Sequence, residues 1–401
     1  MNKKTLRDVD VNGKRVLVRV DLNVPLDIDT GSISDDTRIL EVLPTIKYLT
    51  DKAAKVILCS HLGRPGGKVV DELTLAPVAR RLSEILASPV GMAMDCIGPQ
   101  VEEALNSLKG GNILLLENLR FHPEEEANDP GFAEALARLA DVYINDAFGT
   151  AHRTHASTVG VTKYLPAVAG LLMEKEINVM DKALNDPDRP FAALIGGAKI
   201  NSKIGVLDYI LDKVDSLLIA GGMSSTFLRS LQYYVGQSSV KDDKEDKLGL
   251  ANVLMEKATK KGVHLLLPSD VVVAEKFASD AKSRTVSVDN IPASWYIMDI
   301  GPRTIELFEA KLRKSKTIIW NGPLGVFEFS KFSKGTEAIA NVLAGLNATT
   351  VIGGGSTAEA IVEMGLAHKM SHISTGGGAS LKFLEGKTLP GVVVLQDKEA
   401  G

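Results

Sequence analysis

Short β-branched apolar runs recur along the chain, and most of them break into glycine, arginine or hydroxyl residues before an amphipathic stretch begins. Strand-length runs that alternate with helical patterns predict βα units on a parallel sheet. In the first half the pattern predicts a strand over residues 15–25 that breaks at Pro25, and further strands at Ala54–Cys59, within Gly111–His122 and within Ala140–Gly149. Helices are expected from about Arg38 toward Tyr48 and from Ala76 to Leu86. A long amphipathic stretch, Leu171–Leu184, then runs into Asn-Asp-Pro-Asp-Arg-Pro, a stop rich in turn formers. The rhythm resumes at Phe191, Ser216, His264, Lys316, Thr349 and His372. This divides the chain into a domain over 1–168, a connecting helix and hinge over 169–189, and a second domain over 190–384. The expected class is α/β, with parallel sheets in two three-layer domains.

The residues at the breaks are of particular kinds. Asp21 and Asn23 stand at the carboxyl end of the first strand, the end that faces ligands in open α/β sheets; satisfying turn amides is an equally good reading of these two alone. Arg38 opens a helix, where a cation is unfavourable unless an anion is near, and Asp35 or Asp36 would supply one. His61 and Arg64 follow the second strand, Arg120 ends the third, and Arg153 lies beyond the fourth between His152 and His155. Those two histidines lack a third ligand at a telling spacing, which argues against a metal there. Arginines at the ends of several neighbouring strands describe a cradle for a small, multiply negative molecule.

The second half carries different equipment. Phe191–Ile195 runs into Gly196-Gly197, and a helix is expected from Lys199 through Leu211, with Lys199 and Lys203 on one face beside free amides. Taken by itself, that junction is better explained as a solvated lysine pair on an ordinary βα turn. Gly221-Gly222 closes another run; Asn321-Gly322-Pro323 leads through apolar residues to Glu328, suited to a purine and a ribose hydroxyl. Gly353-Gly354-Gly355 with Ser356 and Thr357 opens a helix, and places hydroxyls and amides at its positive end. Arginine forks in one half and glycine turns with lysine in the other suit a small anion and a nucleotide, on two domains that close to expel water.

Composition narrows the classes. With 45% hydrophobic and 24% charged residues the chain is ordinary for a globular protein, and a net charge of −4 provides no basic field for nucleic acid. Two cysteines, Cys59 and Cys96, without metal-ligand spacing point to a reducing compartment. No apolar leader or spanning run is seen, so a cytoplasmic location without a membrane partner is expected.

In order along the chain, Arg19-Val-Asp-Leu-Asn-Val-Pro25, Ser60-His-Leu-Gly-Arg-Pro65, Glu117-Asn-Leu-Arg-Phe121, Asn145-Asp-Ala-Phe-Gly149, Ala151-His-Arg-Thr-His-Ala-Ser157, Gly196-Gly-Ala-Lys199, Asn321-Gly-Pro-Leu-Gly-Val-Phe-Glu328 and Ser374-Thr-Gly-Gly-Gly-Ala379 resemble the phosphoglycerate kinase family. The resemblance implies two Rossmann-like domains, with a tail from about 385–401 completing the first. It implies reversible phosphoryl transfer from 1,3-bisphosphoglycerate to ADP, giving 3-phosphoglycerate and ATP in glycolysis, by a monomer using Mg²⁺ on the nucleotide.

Carried across residue by residue, Asp21, Asn23, Arg38, His61, Arg64, Arg120 and Arg153 are expected to hold phosphoglycerate. Gly197, Lys199, Lys203, Gly221, Gly222, Asn321, Pro323, Glu328, Gly353, Gly354, Gly355, Ser356 and Thr357 are expected on the nucleotide side, with Arg38, Lys199 and Lys203 at the reacting group. Ser356 departs from the aspartate common in the family, which weakens direct metal contact there; Lys382 likewise replaces a usual acid. No Gly-x-x-x-x-Gly-Lys-Ser/Thr motif or protein-kinase catalytic loop occurs. A nicotinamide dehydrogenase leaves the arginines without a purpose, and a non-catalytic sensor of the same ligands is separated only by assay.

Overall fold

The computed structural model describes residues 2–27, 29–198, 200–238 and 245–398. The chain divides into two compact units, Met1–Asn178 with Thr388–Gly401, and Val179–Lys387.

In the first unit β1 (Arg15–Arg19), β2 (Lys55–Cys59), β3 (Val90–Met92), β4 (Ile113–Leu115), β5 (Val142–Asn145) and β6 (Ala167–Ala169) form a parallel sheet in the order β3-β4-β2-β1-β5-β6. Both faces are covered, which is why the strands read as continuous apolar runs. Val16, Val18, Val56, Leu58, Ile113, Leu115 and Ile144 belong to one core. Leu17, Ile57 and Tyr143, of opposite parity, are buried as well. The helix Thr37–Asp51 buries Ile39, Val42, Ile46 and Leu49, a stripe at helical spacing against that core. Short β3 and β6 escape the hydrophobic pattern, since three residues at a sheet edge make no recognisable run. The returning C-terminal segment is tied in by Gly391, whose N–H donates to the Ala151 carbonyl at 2.9 Å and whose carbonyl accepts from Asn145 Nδ2 at 3.0 Å.

The second unit holds β7 (Phe191–Ile195), β8 (Ser216–Ile219) and β9 (His264–Leu266). An antiparallel trio follows, β10 (Asp270–Ala274), β11 (Ser283–Ser287) and β12 (Tyr296–Ile300), and then β13 (Thr317–Asn321), β14 (Thr349–Gly353) and β15 (His372–Ile373). The parallel sheet runs β15-β14-β13-β7-β8-β9. Phe191, Ala193 and Ile195 face one core while Ala192 and Leu194 face another, so this sheet too lies between apolar layers. The antiparallel trio departs from a strict βα alternation. Its β11, Ser-Arg-Thr-Val-Ser, has no fully buried position, as befits an antiparallel edge with one wet side.

The helix Leu171–Asn185 runs across the sequence boundary of the two units. The helix expected from Lys199 begins later. Ile200–Ser202 forms a 3-10 turn and the α-helix covers Ile204–Ile210, with Lys203 at its N-cap in a non-helical conformation, φ −123°. Asn201 and Ser202 favour local turns over helix, and two β-branched isoleucines add to that bias.

Candidate active site

Each parallel sheet reverses its winding beside a central strand, and in open α/β sheets the crevice at the carboxyl end of that point is where ligands bind. In the first unit the reversal falls at β1, paired with β2 on one side and β5 on the other. Arg19 ends β1 and is 1% exposed. Its Nε donates to Ser157 Oγ at 2.9 Å, its Nη2 lies 3.1 Å from His61 Nδ1, and Nη1 donates to the Val20 carbonyl. Ser157 is itself fixed by buried Glu125, to which its hydroxyl donates at 2.6 Å and its N–H at 2.9 Å.

Asp21 accepts from Arg38 Nη1, so the arginine in the first helical turn finds its anion here and not at its neighbours. Asp36 is engaged by Arg81 at 2.7 Å, and Asp35 accepts from Thr37. Burial alone would raise the Asp21 carboxyl, but Arg38, His61 and Arg19 outweigh it and hold it below the ordinary range. Gly149 lets the backbone pass this pair, since a Cβ there would lie 2.3 Å from Asp21 Oδ2. Asn23 Oδ1 accepts from Gly63 N–H at 2.8 Å, and Arg120 Nη1 donates to the Gly63 carbonyl at 2.8 Å.

His61 is buried, and burial with the fields of Arg19, Arg120 and Arg38 pushes its pKa well below 6.5 against the pull of Asp21. His155 is driven to about 4 by burial and by Arg19, Arg120 and Arg153. Arg120, mostly buried, is lowered first by burial, with Arg153 and Arg19 acting in the same direction. Hydrogen bonds tie Arg19 to His61, Arg38 to Asp21 and Arg120 to Gly63, so guanidinium groups from β1, from the helix Thr37–Asp51 and from the segment after β4 gather at the strand ends. Arg153 is half-buried and Arg64 exposed, and among the described residues neither has a salt bridge. The surplus of positive charge suits a small, multiply negative molecule.

Sequence reasoning left Arg19 and Gly149 out of the site. A charged residue at the end of an apolar strand was the available signal for Arg19, and the Asn145–Gly149 motif held Gly149.

In the second unit the reversal falls between β7 and β13. There Gly196 N–H donates to the Asn321 carbonyl at 2.9 Å and Gly197 N–H to that of Pro323 at 3.0 Å. A Cβ on Gly196 would lie 2.2 Å from Pro323 O, and one on Gly221 2.6 Å from Gly197 N, so close backbone approach requires glycine at both. A cavity of about 460 Å³ opens beside this junction. Gly197, Gly221, Gly222, Pro323, Glu328 and Ser356 line it, together with Phe277, Tyr296, Met298 and Leu324. Its apolar wall draws on β12 and the loop after β10, which the sequence reading had passed over; that size and lining fit a small-molecule site.

Lys203 Nζ donates to Asn321 Oδ1, and burial lowers the ammonium to about 8. Asn321 is fully buried, and its Nδ2 has no partner among the described residues. That amide faces the glycine turn, for a Cβ on Gly353 or Gly354 would lie 3.1 or 3.2 Å from it. Gly355 and Ser356 begin the helix Gly355–Glu363, whose first amides have no intrahelical acceptor and no side-chain cap at Gly354. Thr357 is buried, with its hydroxyl accepting from Gly322 N–H at 2.7 Å, so its side chain braces the Asn321–Pro323 turn. Asp299, on the cavity wall, is raised to about 7 by burial although Gly335 and Ile300 N–H groups donate to it. Lys382 pairs with Glu385 at 3.1 Å. Lys199 lies outside the described residues.

Comparisons with known proteins agree over the full length. A family model described as Phosphoglycerate kinase matches residues 6–387. The phosphoglycerate kinase of Moorella thermoacetica is 56% identical over 398 residues, covering 99% of this chain and 100% of that protein. That of Gloeothece citriformis is 58% identical over 404 aligned positions, again 99% and 100%. Among solved structures, phosphoglycerate kinase from Coxiella burnetii superposes with a TM-score of 0.87 at 40% identity over 98% of both chains. The enzyme from Pyrococcus horikoshii gives 0.83 at 33% identity, also over 98% of both. Among the described residues no helix is long and apolar enough to cross a membrane.

Proposed function

The chain belongs to the phosphoglycerate kinase family, and from that premise we propose how its residues divide the reaction. The protein is a phosphotransferase that moves a phosphoryl group reversibly between the acyl phosphate of 1,3-bisphosphoglycerate and ADP. In the ATP-forming direction a β-phosphate oxygen of ADP bonds to the phosphorus on C1 as the bond from that phosphorus to the acyl oxygen breaks, leaving 3-phosphoglycerate as a carboxylate.

Arg38, Arg64, Arg120 and Arg153, with Asp21, Asn23 and His61, bind the phosphoglycerate, and Arg19 holds His61 in place. The observation that carries this reading is the run of contacts at the strand ends: Arg19 Nη2 lies 3.1 Å from His61 Nδ1, Arg38 donates to Asp21, and Asn23 and Arg120 hold the N–H and carbonyl of Gly63 at 2.8 Å each. His61 is neutral at physiological pH and serves as a hydrogen-bonding partner. The cavity walled by Gly197, Gly221, Gly222 and Pro323 takes the nucleoside, with Glu328 near the ribose. Lys203, Asn321 and the turn Gly353–Thr357 take the phosphates; the unpartnered Asn321 amide beside that turn supports this.

Neither direction needs a protein base, because attacking and leaving oxygens are both anionic at neutral pH. Charge spreads over the transferring group in the transition state, so cations and in-line positioning supply the acceleration. Arg38 and Lys203 are assigned to it, with Lys199 assigned from its sequence position. Turnover requires both substrates to be brought together and water to be kept from the acyl phosphate.

Mg²⁺ is proposed on the nucleotide. Ser356 offers one hydroxyl oxygen at the cavity, too little for a protein cage but suited to an ion that keeps waters and phosphate oxygens. Ser356 would touch it, with Glu328 left to the ribose, and bound there it would neutralise phosphate charge. A cytoplasmic location fits two buried, unpaired cysteines.

The test is to mix the protein with ADP and 1,3-bisphosphoglycerate and follow ATP. Enzymatic ATP formation is expected; binding of both ligands without ATP would replace this reading with that of a sensor.

A further inference from the structure

Beyond the carboxyl ends of β3 and β4, in the first unit, three metal-ligand side chains meet, two from adjacent residues after β3 and one from the segment after β4. Asp95, Cys96 and His122 each offer one ligand atom, and all three atoms lie within 4.8 Å of one another. The backbone ties the two segments together, with Ala93 N–H donating to Leu115 O at 2.9 Å and Glu117 N–H to Asp95 O at 3.3 Å. We propose that this trio is a binding site for a divalent transition-metal ion, with zinc favoured by its donors.

One thiolate, one imidazole and one carboxylate with an open fourth position is a set that zinc accepts and that hard Mg²⁺ does not seek. Cys96 is buried, whereas the His122 and Asp95 side chains are 27% and 47% exposed, so the open position faces water. Asp95 Oδ1 and His122 Nε2 stand 2.7 Å apart. Tetrahedral zinc needs them about 3.4 Å apart, which a small rotation of the exposed carboxylate provides. On the far side of the ring, His122 Nδ1 lies 4.0 Å from Glu124 Oε2, so a side-chain rotation would be needed for that carboxylate to accept from a metal-bound imidazole.

Binding forms bonds from the metal to sulfur, nitrogen and oxygen. It releases the Cys96 thiol proton, with any proton held between Asp95 and His122, to solvent. His122 directly follows the 3-10 turn Leu119–Phe121, which carries Arg120, so the ion would also stiffen that turn.

The experiment uses the full chain after chelator dialysis, with Co²⁺ as the spectroscopic probe and Zn²⁺ in competition. One Co²⁺ per chain is expected, with a thiolate-to-cobalt charge-transfer band that survives Cys59→Ala and vanishes in Cys96→Ser. Zn²⁺ affinity should fall more than about tenfold in His122→Ala and in near-isosteric Asp95→Asn, with far-ultraviolet circular dichroism unchanged. Absence of the band in the wild type, its survival in Cys96→Ser, or Zn²⁺ affinity unchanged in Asp95→Asn would overturn the proposal.

Discussion

Lys203 makes the nucleotide site pH-dependent in a calculable way. Its ammonium donates to Asn321 Oδ1, and burial brings it down from 10.5 to about 8. A bound polyphosphate favours the charged form, so the pKa rises on binding and ADP takes up a proton at Lys203. Affinity must then fall as pH rises through the free-state value, and level off only above the bound-state value. With a free-state pKa near 8, about three-quarters of the molecules carry the charge at about pH 7.5 and about one-tenth at about pH 9. The expected loss is therefore about eightfold in ADP affinity, or ~1.2 kcal/mol. The terminal phosphate is already ionised across this interval, so its own titration adds little.

Isothermal titration of ADP at saturating Mg²⁺, in buffers of different ionisation enthalpy, measures both the affinity and the proton uptake. Uptake should be about half a proton at about pH 8. Lys203→Arg should flatten the profile because its charge persists, and Lys203→Met should flatten it at weak affinity. Wild-type affinity constant within twofold across the interval, or the wild-type slope persisting in Lys203→Arg, would refute the reasoning.

Other consequences follow from single contacts. Gly149→Ala puts a Cβ 2.3 Å from Asp21 Oδ2; steady-state kinetics should give a KM for 3-phosphoglycerate raised at least about tenfold with that for ATP little changed. Ser356→Asp adds a carboxylate where the wild type has a hydroxyl, so direct binding should find Mg–ADP held several-fold more tightly, and tighter wild-type binding would contradict the assignment. Asp299 has a folded-state pKa of about 7 against 3.8 unfolded, so its favourable contribution is complete below the unfolded value and is lost as pH rises through about 7. The melting temperature of Asp299→Asn minus that of the wild type should grow by roughly 2–6 °C between about pH 4 and about pH 8, and a constant difference by calorimetry would remove the buried charge from the account.

Much of this architecture was legible in the residues because parallel strands covered on both faces must be apolar throughout. β1, β2, β7 and β13 announced themselves for that reason. Motifs at their carboxyl ends then pointed at the crevices. What escaped is equally physical. The antiparallel trio β10–β12, which supplies part of the cavity wall, has short mixed strands that look like loops in a βα chain. Arg38 has two nearby aspartates in sequence, yet pairs with Asp21, seventeen positions away, because β1 ends beside its helix. Lys203 was expected on a helical face; Asn201 and Ser202 delay the helix and leave it at the N-cap, against Asn321. Thr357 belonged to an evident glycine-hydroxyl motif, but only coordinates reveal that its hydroxyl accepts from Gly322 N–H.

The division of labour is tested most directly by titrating Mg–ADP and 3-phosphoglycerate separately into wild type, Arg38→Ala and Lys203→Ala, with turnover measured on the same samples. Arg38→Ala should leave ADP affinity within about twofold while turnover falls more than about a hundredfold, and Lys203→Ala should weaken ADP more than about tenfold. Equal losses of ADP affinity in the two variants would contradict the assignment of anion and nucleotide to separate sites.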